Sequence, residues 1–247
     1  MFTVPTLLGI GIVLVIFEIV GRVCLLFGRR PFEWSMAALQ RSLLGVFAIA
    51  GTRYVVEGAE ALEPGKGYVL VSNHQSLLDI PIFGGLLTRN FPKYVAKREL
   101  GRWIPSVSLN LTRGGNAVID RDDRDQAIEA ITRLGSEAEE RGVAVVMFPE
   151  GTRSRDGALG RFRRLGTQTL FDAAPNLPII PTAIDGSWRV ASKKLLPIPF
   201  GSVVRVRFGP FLDRGDATAG ELLKECHEWI AGTLDEWRED AAVPQSA

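Results

Sequence analysis

The sequence predicts an α/β domain, a mixed sheet flanked by helices, preceded by a membrane-associated helical hairpin. Three observations carry this. From Arg53 onward, short apolar or β-branched runs alternate with longer polar stretches of helical period, the pattern of strands interleaved with helices. The final stretch, Ala219 to Trp237, sets Leu222, Cys226, Ile230 and Leu234 four apart, one apolar stripe that docks on a core. Ahead of all this lies an N-terminal segment far more apolar than the rest.

That segment carries no charged side chain before Glu18. Residues 3–28 reach the length of a bilayer span, about 20 apolar residues, if Glu18 and Arg22, four apart on one helix face, neutralise each other. A second apolar stretch, Phe32 to Ala50, follows the "GRRP" at 28–31 and contains Glu33 and Arg41. Residues 1–50 are therefore expected to form two helices joined at Arg29–Pro31, embedded in or lying on the membrane; a buried core hairpin in a soluble domain is the alternative. Arg22, Arg29 and Arg30 place the bulk of the chain on the cytoplasmic side of the inner membrane. A signal peptide fits less well: no basic residue precedes the apolar run and no small-x-small site follows it.

The expected strands are "RYVVEG", "YVLVSN", "KYVAKR", "NAVID", "VAVVMFPE", "IIPTAID" and "VVRVRFG". Helical patterns cover Leu77–Leu87, Asp123–Arg141, Arg164–Ala174 and Ala219–Trp237. The sheet domain thus spans 51–239, and 240–247 is expected to be a disordered tail. Pro181 inside "IIPTAID" suggests an edge strand or a bulge, because proline cannot donate to a ladder.

A formal charge of +1 over 247 residues gives no electrostatic case for nucleic acid. Positive charge is local: Arg153, Arg155, Arg161, Arg163 and Arg164 fall within twelve residues. Cys24 and Cys226 are far apart in unlike contexts and no Cys/His cluster exists, so neither a disulfide framework nor a metal site is expected. There is no G-x-S-x-G elbow and no P-loop.

His74, one of two histidines, follows the run "YVLVS" and so stands at the carboxyl end of a strand, where open α/β sheets place their sites. Asp79 is five residues on. On a strand this spacing sends the two to opposite faces, and on a continuous helix they diverge by about 140°. Only a loop entering a helix brings them together, with Asn73 and Ser76 as suitable caps. The spacing leaves two readings open: a base oriented by a carboxylate, or a turn residue and a helix-surface carboxylate. "VVMFPEGTRSR", 145–155, puts Glu150, Gly151, Thr152 and Arg153 at another strand end, with guanidinium forks suited to phosphate or carboxylate. Lys97 and Arg121 each close a further strand. Lys97 suits phosphate as a point charge, and a surface lysine explains it equally well. His227 lies mid-helix between Glu225 and Glu228 and is explained by a solvated surface.

"NHQSLLD", "FPEGTRS" and "IIPTAI", in this order and spacing, resemble the glycerolipid acyltransferase family, and within it the 1-acylglycerol-3-phosphate acyltransferases. The likeness covers roughly 50–210. The family's H-x-x-x-x-D motif corresponds to His74 and Asp79. The second motif is similar to Lys97–Leu100 through Arg121, with Ser108 near a position that often holds glycine. The third motif corresponds to Glu150, Gly151, Thr152 and Arg153, and the fourth to Pro181. The resemblance implies transfer of a fatty acyl group from acyl-CoA or acyl-carrier protein to the sn-2 hydroxyl of a lysophospholipid at the bilayer, without a further cofactor. It implies His74 as base and Asp79 as its orienting partner. Arg153 and Lys97 would hold the substrate phosphate, and Glu150 would tie the loop together or contact the glycerol. Another lysolipid acceptor, such as a lyso-ornithine lipid, and a non-catalytic lipid-binding role are the alternatives.

Overall fold

A computed structural model describes residues 3–120, 122–191 and 197–242. In chain order it contains α1 (Thr3–Leu26), α2 (Arg29–Ile49), β1 (Arg53–Glu57), β2 (Val69–Ser72), α3 (Asp79–Leu86), β3 (Lys93–Lys97), α4 (Val107–Arg113), β4 (Ala117–Ile119), α5 (Arg124–Arg141), β5 (Val145–Met147), α6 (Arg164–Ala173), β6 (Ile179–Asp185), α7 (Ser187–Val190), β7 (Val203–Phe208) and α8 (Ala219–Ala242). The seven strands form one sheet in the order β1-β7-β6-β2-β5-β3-β4. All pairings are parallel except β6 with β7. The carboxyl ends of β6, β2, β5, β3 and β4 therefore share one edge.

Alternation of side chains divides the core by face. Val69, Val71, Val145, Met147 and Ile179 point to the side covered by α5, α6 and α8, against Ile131, Leu134, Leu170, Phe171, Leu222 and Cys226. Leu70, Tyr94, Val146 and Ile180 point to the other side, where α3 lies with Leu78, Ile82 and Phe83, and α2 with Leu44 and Phe47. The helix boundaries follow from local chemistry. The Asp123 side chain accepts the Gln126 N–H to start α5, and Gly142 ends it at φ +61°.

The hairpin divides into two unlike helices. Along α1, Val4, Leu8, Ile12, Ile16, Ile19 and Val23 remain exposed, and Glu18 pairs with Arg22 at 2.5 Å. Among the described residues α1 is the one helix long and apolar enough to cross a bilayer. By contrast, α2 buries Phe32, Met36, Leu39, Leu44 and Phe47 and forms part of the sheet's cover. The boundary expected at residue 50 thus does not coincide with a break in packing. At the other end, α8 continues to Ala242, so 240–242 are helical where a disordered tail was expected, and 243–247 lie outside the described residues.

Of the two alternatives that Pro181 offered, the edge strand fails and the bulge holds: the regular register ends at Thr182–Phe208, and Ile179 bridges Leu212 with one extra residue on the β7 side. Strand β6 is interior, between β7 and β2. The Pro181 carbonyl accepts the Gly209 N–H at 2.8 Å, one residue past the end of β7. The N–H that proline lacks therefore falls where the regular β6–β7 register ends, before the offset bridge of Ile179 with Leu212. A Cβ at position 209 would lie 2.8 Å from Pro181 Cγ, which is why glycine stands there.

A charge cluster secures α2. Glu33, 1% exposed at its side chain, accepts Lys93 Nζ and Arg141 Nη2, both at 2.7 Å, and Arg30 approaches at 3.4 Å. Burial lowers the Lys93 ammonium to about 8, against the opposing pull of Glu33. Burial pushes the Glu33 carboxyl up, but Lys93 and Arg141 together outweigh this and hold it below its ordinary 4.5.

Candidate active site

The chain leaves β2 at Ser72 and reaches α3 through a tight loop. Asn73, buried, fixes the exit. Its side-chain amide donates to the Ile184 carbonyl at 2.8 Å and its Oδ1 accepts the Ile184 N–H at 2.9 Å, which joins the ends of β2 and β6. The loop then wraps around the carboxylate of Asp79, the first residue of α3 and fully buried. Asp79 Oδ2 accepts the backbone N–H of Gln75 at 2.7 Å and of Ser76 at 2.9 Å. Oδ1 accepts the hydroxyls of Ser76 at 3.3 Å and Ser187 at 2.5 Å. His74 Nδ1 lies 2.7 Å from Asp79 Oδ2.

A carboxylate only accepts, so Nδ1 carries the proton and Nε2 presents its lone pair. The ring is held on one face by Phe148, stacked at 4.1 Å between centroids and 19° between planes. It is 17% exposed at its side chain, open enough to meet a ligand.

The Glu150–Arg153 turn is latched to this loop. The His74 N–H donates to Glu150 Oε1 at 2.8 Å and the Gly160 N–H to Oε2 at 2.9 Å. The Ser154 N–H donates to the His74 carbonyl at 2.8 Å. Glu150 thus ties the loop together through backbone, the first of its two expected roles. Burial raises its carboxyl above the ordinary 4.5, only partly offset by those two N–H donors. Gly151 turns the chain at φ +66°, where a side chain would be strained. Thr152 is exposed and Arg153 half-buried. Among the described residues, no carboxylate pairs with the Arg153 guanidinium.

Strand register places Lys97. Leu70, Val146 and Tyr94 are aligned across β2, β5 and β3. Three residues further on, Asn73, Pro149 and Lys97 lie level at the carboxyl edge. With about 4.8 Å per strand, Lys97 stands roughly 10 Å from β2, exposed and without an anionic partner among the described residues. Arg121 lies outside the described residues. His227 is on α8, edge-on to Phe162, on the helix layer opposite the one that holds His74.

Two features of the site were not anticipated from sequence. Ser187 is 108 residues from Asp79 and meets it only because β6 runs beside β2. The backbone amides of Gln75, Ser76 and Gly151 are engaged within the protein: the first two by Asp79, the third by the Phe148 carbonyl at 3.1 Å. Among the described residues, the N–H groups of Thr152 and Arg153 have no acceptor.

Comparison with known proteins agrees with this layout. An acyltransferase family model matches residues 53–185. The 1-acyl-sn-glycerol-3-phosphate acyltransferase of Pseudomonas aeruginosa is 31% identical over 193 residues, 76% of this chain and 71% of that protein. The mouse 1-acyl-sn-glycerol-3-phosphate acyltransferase alpha is 35% identical over 173 residues, 70% of this chain and 58% of that one. The crystal structure of the 1-acyl-sn-glycerophosphate acyltransferase PlsC from Thermotoga maritima superposes with a TM-score of 0.68 at 22% identity, covering 96% of this chain and 98% of that one. The histidine–carboxylate pair at the end of β2 thus lies inside the region matched by the family model, and the chain belongs to the acyltransferase family.

Proposed function

We propose that the protein transfers a fatty acyl group from a thioester to the sn-2 hydroxyl of 1-acylglycerol-3-phosphate, giving phosphatidate. The observation that carries this reading is the His74 Nδ1–Asp79 Oδ2 contact at 2.7 Å, beside a turn whose arginine lacks a partner. In this reading His74 Nε2 removes the proton of the acceptor hydroxyl as its oxygen bonds to the thioester carbonyl carbon. Asp79 stabilises the imidazolium. The tetrahedral intermediate then expels the thiolate, which takes the proton back from His74. No enzyme side chain is acylated. General-base assistance of this kind is worth about 10²–10⁴-fold.

Arg153 offers a planar fork to the substrate phosphate and Lys97 a second positive charge; Arg121 completes this set in the second motif. Holding the phosphate fixes the hydroxyl against His74. Glu150, Gly151 and Thr152 shape the turn, and the unengaged N–H groups of Thr152 and Arg153 supply oxyanion donors. The thioester is acyl-CoA or acyl-carrier protein. The exposed apolar stripe of α1 faces the bilayer, and the sheet domain sits at its cytoplasmic surface.

The test is an acceptor panel with the purified full chain and labelled acyl donors on both carriers. Lysophosphatidate is expected to be the preferred acceptor, with Arg153→Ala reducing that preference. Equal turnover of lysolipids lacking a phosphate monoester would refute the assignment. Wild-type turnover by His74→Ala would refute the mechanism.

A further inference from the structure

The loop between β3 and α4 carries one apolar side chain almost wholly in solvent and two partly so. Trp103 is 95% exposed, Ile104 39% and Leu100 37%. Trp103 has φ +72° and Ser106 φ +54°, left-handed conformations that strain residues other than glycine. The shape is nonetheless secured. The Ile104 N–H donates to Ser108 Oγ at 3.1 Å and the Ser108 N–H returns to the Ile104 carbonyl at 2.9 Å. A large apolar ring is thus held outward by a braced loop.

The loop is also joined to α1. The Ser106 N–H donates to Glu18 Oε2 at 2.6 Å, and Leu109 packs into the α1–α2 cluster beside Gly21, where a Cβ would meet it at 3.1 Å. Trp103 is three residues from Ser106, a reach of at most about 10 Å. Val15 and Ile19, one turn before and one residue after Glu18, belong to the exposed apolar stripe. The tip is therefore continuous with that stripe. Arg102, next to Trp103 in the chain and exposed, adds a positive charge with no anionic partner among the described residues, the complement of anionic headgroups. Tryptophan is the residue whose flat ring and N–H suit the membrane–water interface.

We infer that residues 98–106 form a second bilayer contact, seating Trp103, Ile104 and Leu100 among lipid headgroups beside α1. This rests on the reading of α1 as membrane-facing. Lys97, at the root of the loop, is thereby held at headgroup depth, where a lysolipid presents its phosphate. An acidic protein would suit Arg102 but not the apolar tip beside it.

The experiment uses the full chain in vesicles of phosphatidylcholine and phosphatidylglycerol with brominated acyl chains. The fluorescence difference between wild type and Trp103→Phe isolates the one ring. It is expected to be blue-shifted, to lose most of its intensity to bromine, and to resist aqueous acrylamide. If the chain floats with the vesicles while the difference signal ignores bromine and yields to acrylamide, the inference is overturned and the reading of α1 stands. If the chain does not float, both fall together. Shielding from acrylamide that requires added acyl-carrier protein would assign the tip to that partner and overturn the inference. The double change Trp103→Ala, Ile104→Ala is expected to raise KM several-fold for vesicle-borne lysophosphatidate but not for a short-chain monomeric acceptor. An equal rise for both would count against a bilayer role.

Discussion

Strand β3 carries a lysine at each end, and the two live in different worlds. Lys93, at its amino end, is 6% exposed at its side chain and bound to Glu33. Lys97, at its carboxyl end, is exposed and without an anionic partner among the described residues. The same division holds for the arginines, with Arg141 on Glu33 at one edge of the sheet and Arg153 without a partner at the other. Desolvated charge is tolerable only when paired, so the inner cluster is architecture. Unpaired charge on a rigid edge is available to a ligand of opposite sign. At the carboxyl edge Asp79 and Glu150 are committed to hydrogen bonds with loop backbone, whereas Lys97 and Arg153 have no anionic partner among the described residues.

Changes on the two sides should separate rate from stability. The largest effect is expected for His74→Ala, a fall in kcat of about 10²–10⁴-fold with little change in thermal midpoint; single-turnover assays beside melting curves check it. Glu33→Gln leaves Lys93 and Arg141 buried without their anion and should cost about 3–5 kcal/mol, seen in denaturant titrations, while the folded fraction keeps its kcat. Acid should act on the same cluster. Because Glu33 titrates below 4.5 when folded, the unfolded chain binds the proton more readily, so this contribution is present above pH 4.5 and fades as pH falls through the lower folded value. Wild type and Glu33→Gln should therefore converge in stability on acidification, and parallel slopes would contradict this.

Smaller effects are expected around the ligand. Arg153→Ala removes charge-assisted bonds worth about 1.5–3 kcal/mol, an expected rise of roughly ten- to a hundred-fold in KM for lysophosphatidate. Ser187→Ala takes one donor from Asp79 and should lower kcat by no more than roughly tenfold, with KM unchanged and recovery in Ser187→Thr. Lys97→Ala, exposed to solvent and salt, should raise KM only a few-fold, an effect that shrinks as ionic strength increases.

All seven strands and six of the eight helices among the described residues are legible in the sequence, from local periodicity or, for α1 and α2, from apolar length. The short helices α4 and α7 are not, since seven and four residues hold too few turns to show a period. The pairing of His74 with Asp79 was one of two readings; the loop amides and hydroxyls that close around the carboxylate decide it. Ser187 and Glu33 could not be found locally. One takes its meaning from the adjacency of β6 and β2, the other from the end of a strand sixty residues away. Pro181 signalled an edge or a bulge, and of these the edge fails: the missing donor falls where the regular β6–β7 pairing ends and the register slips by one residue.

The burial of α2 has a practical consequence for anyone wishing to free the catalytic region from lipid. Deleting everything before Arg53 would uncover Leu70, Ile82 and Phe83, which lie beneath Leu44 and Phe47, and would orphan Lys93; aggregation is the natural outcome. Removing only residues 1–26 spares that roof but bares the flank of α2 at Phe32, Met36 and Leu39. A version without α1 would have to repaint that flank with polar side chains, because α2 carries α1 on one side and roofs the sheet on the other.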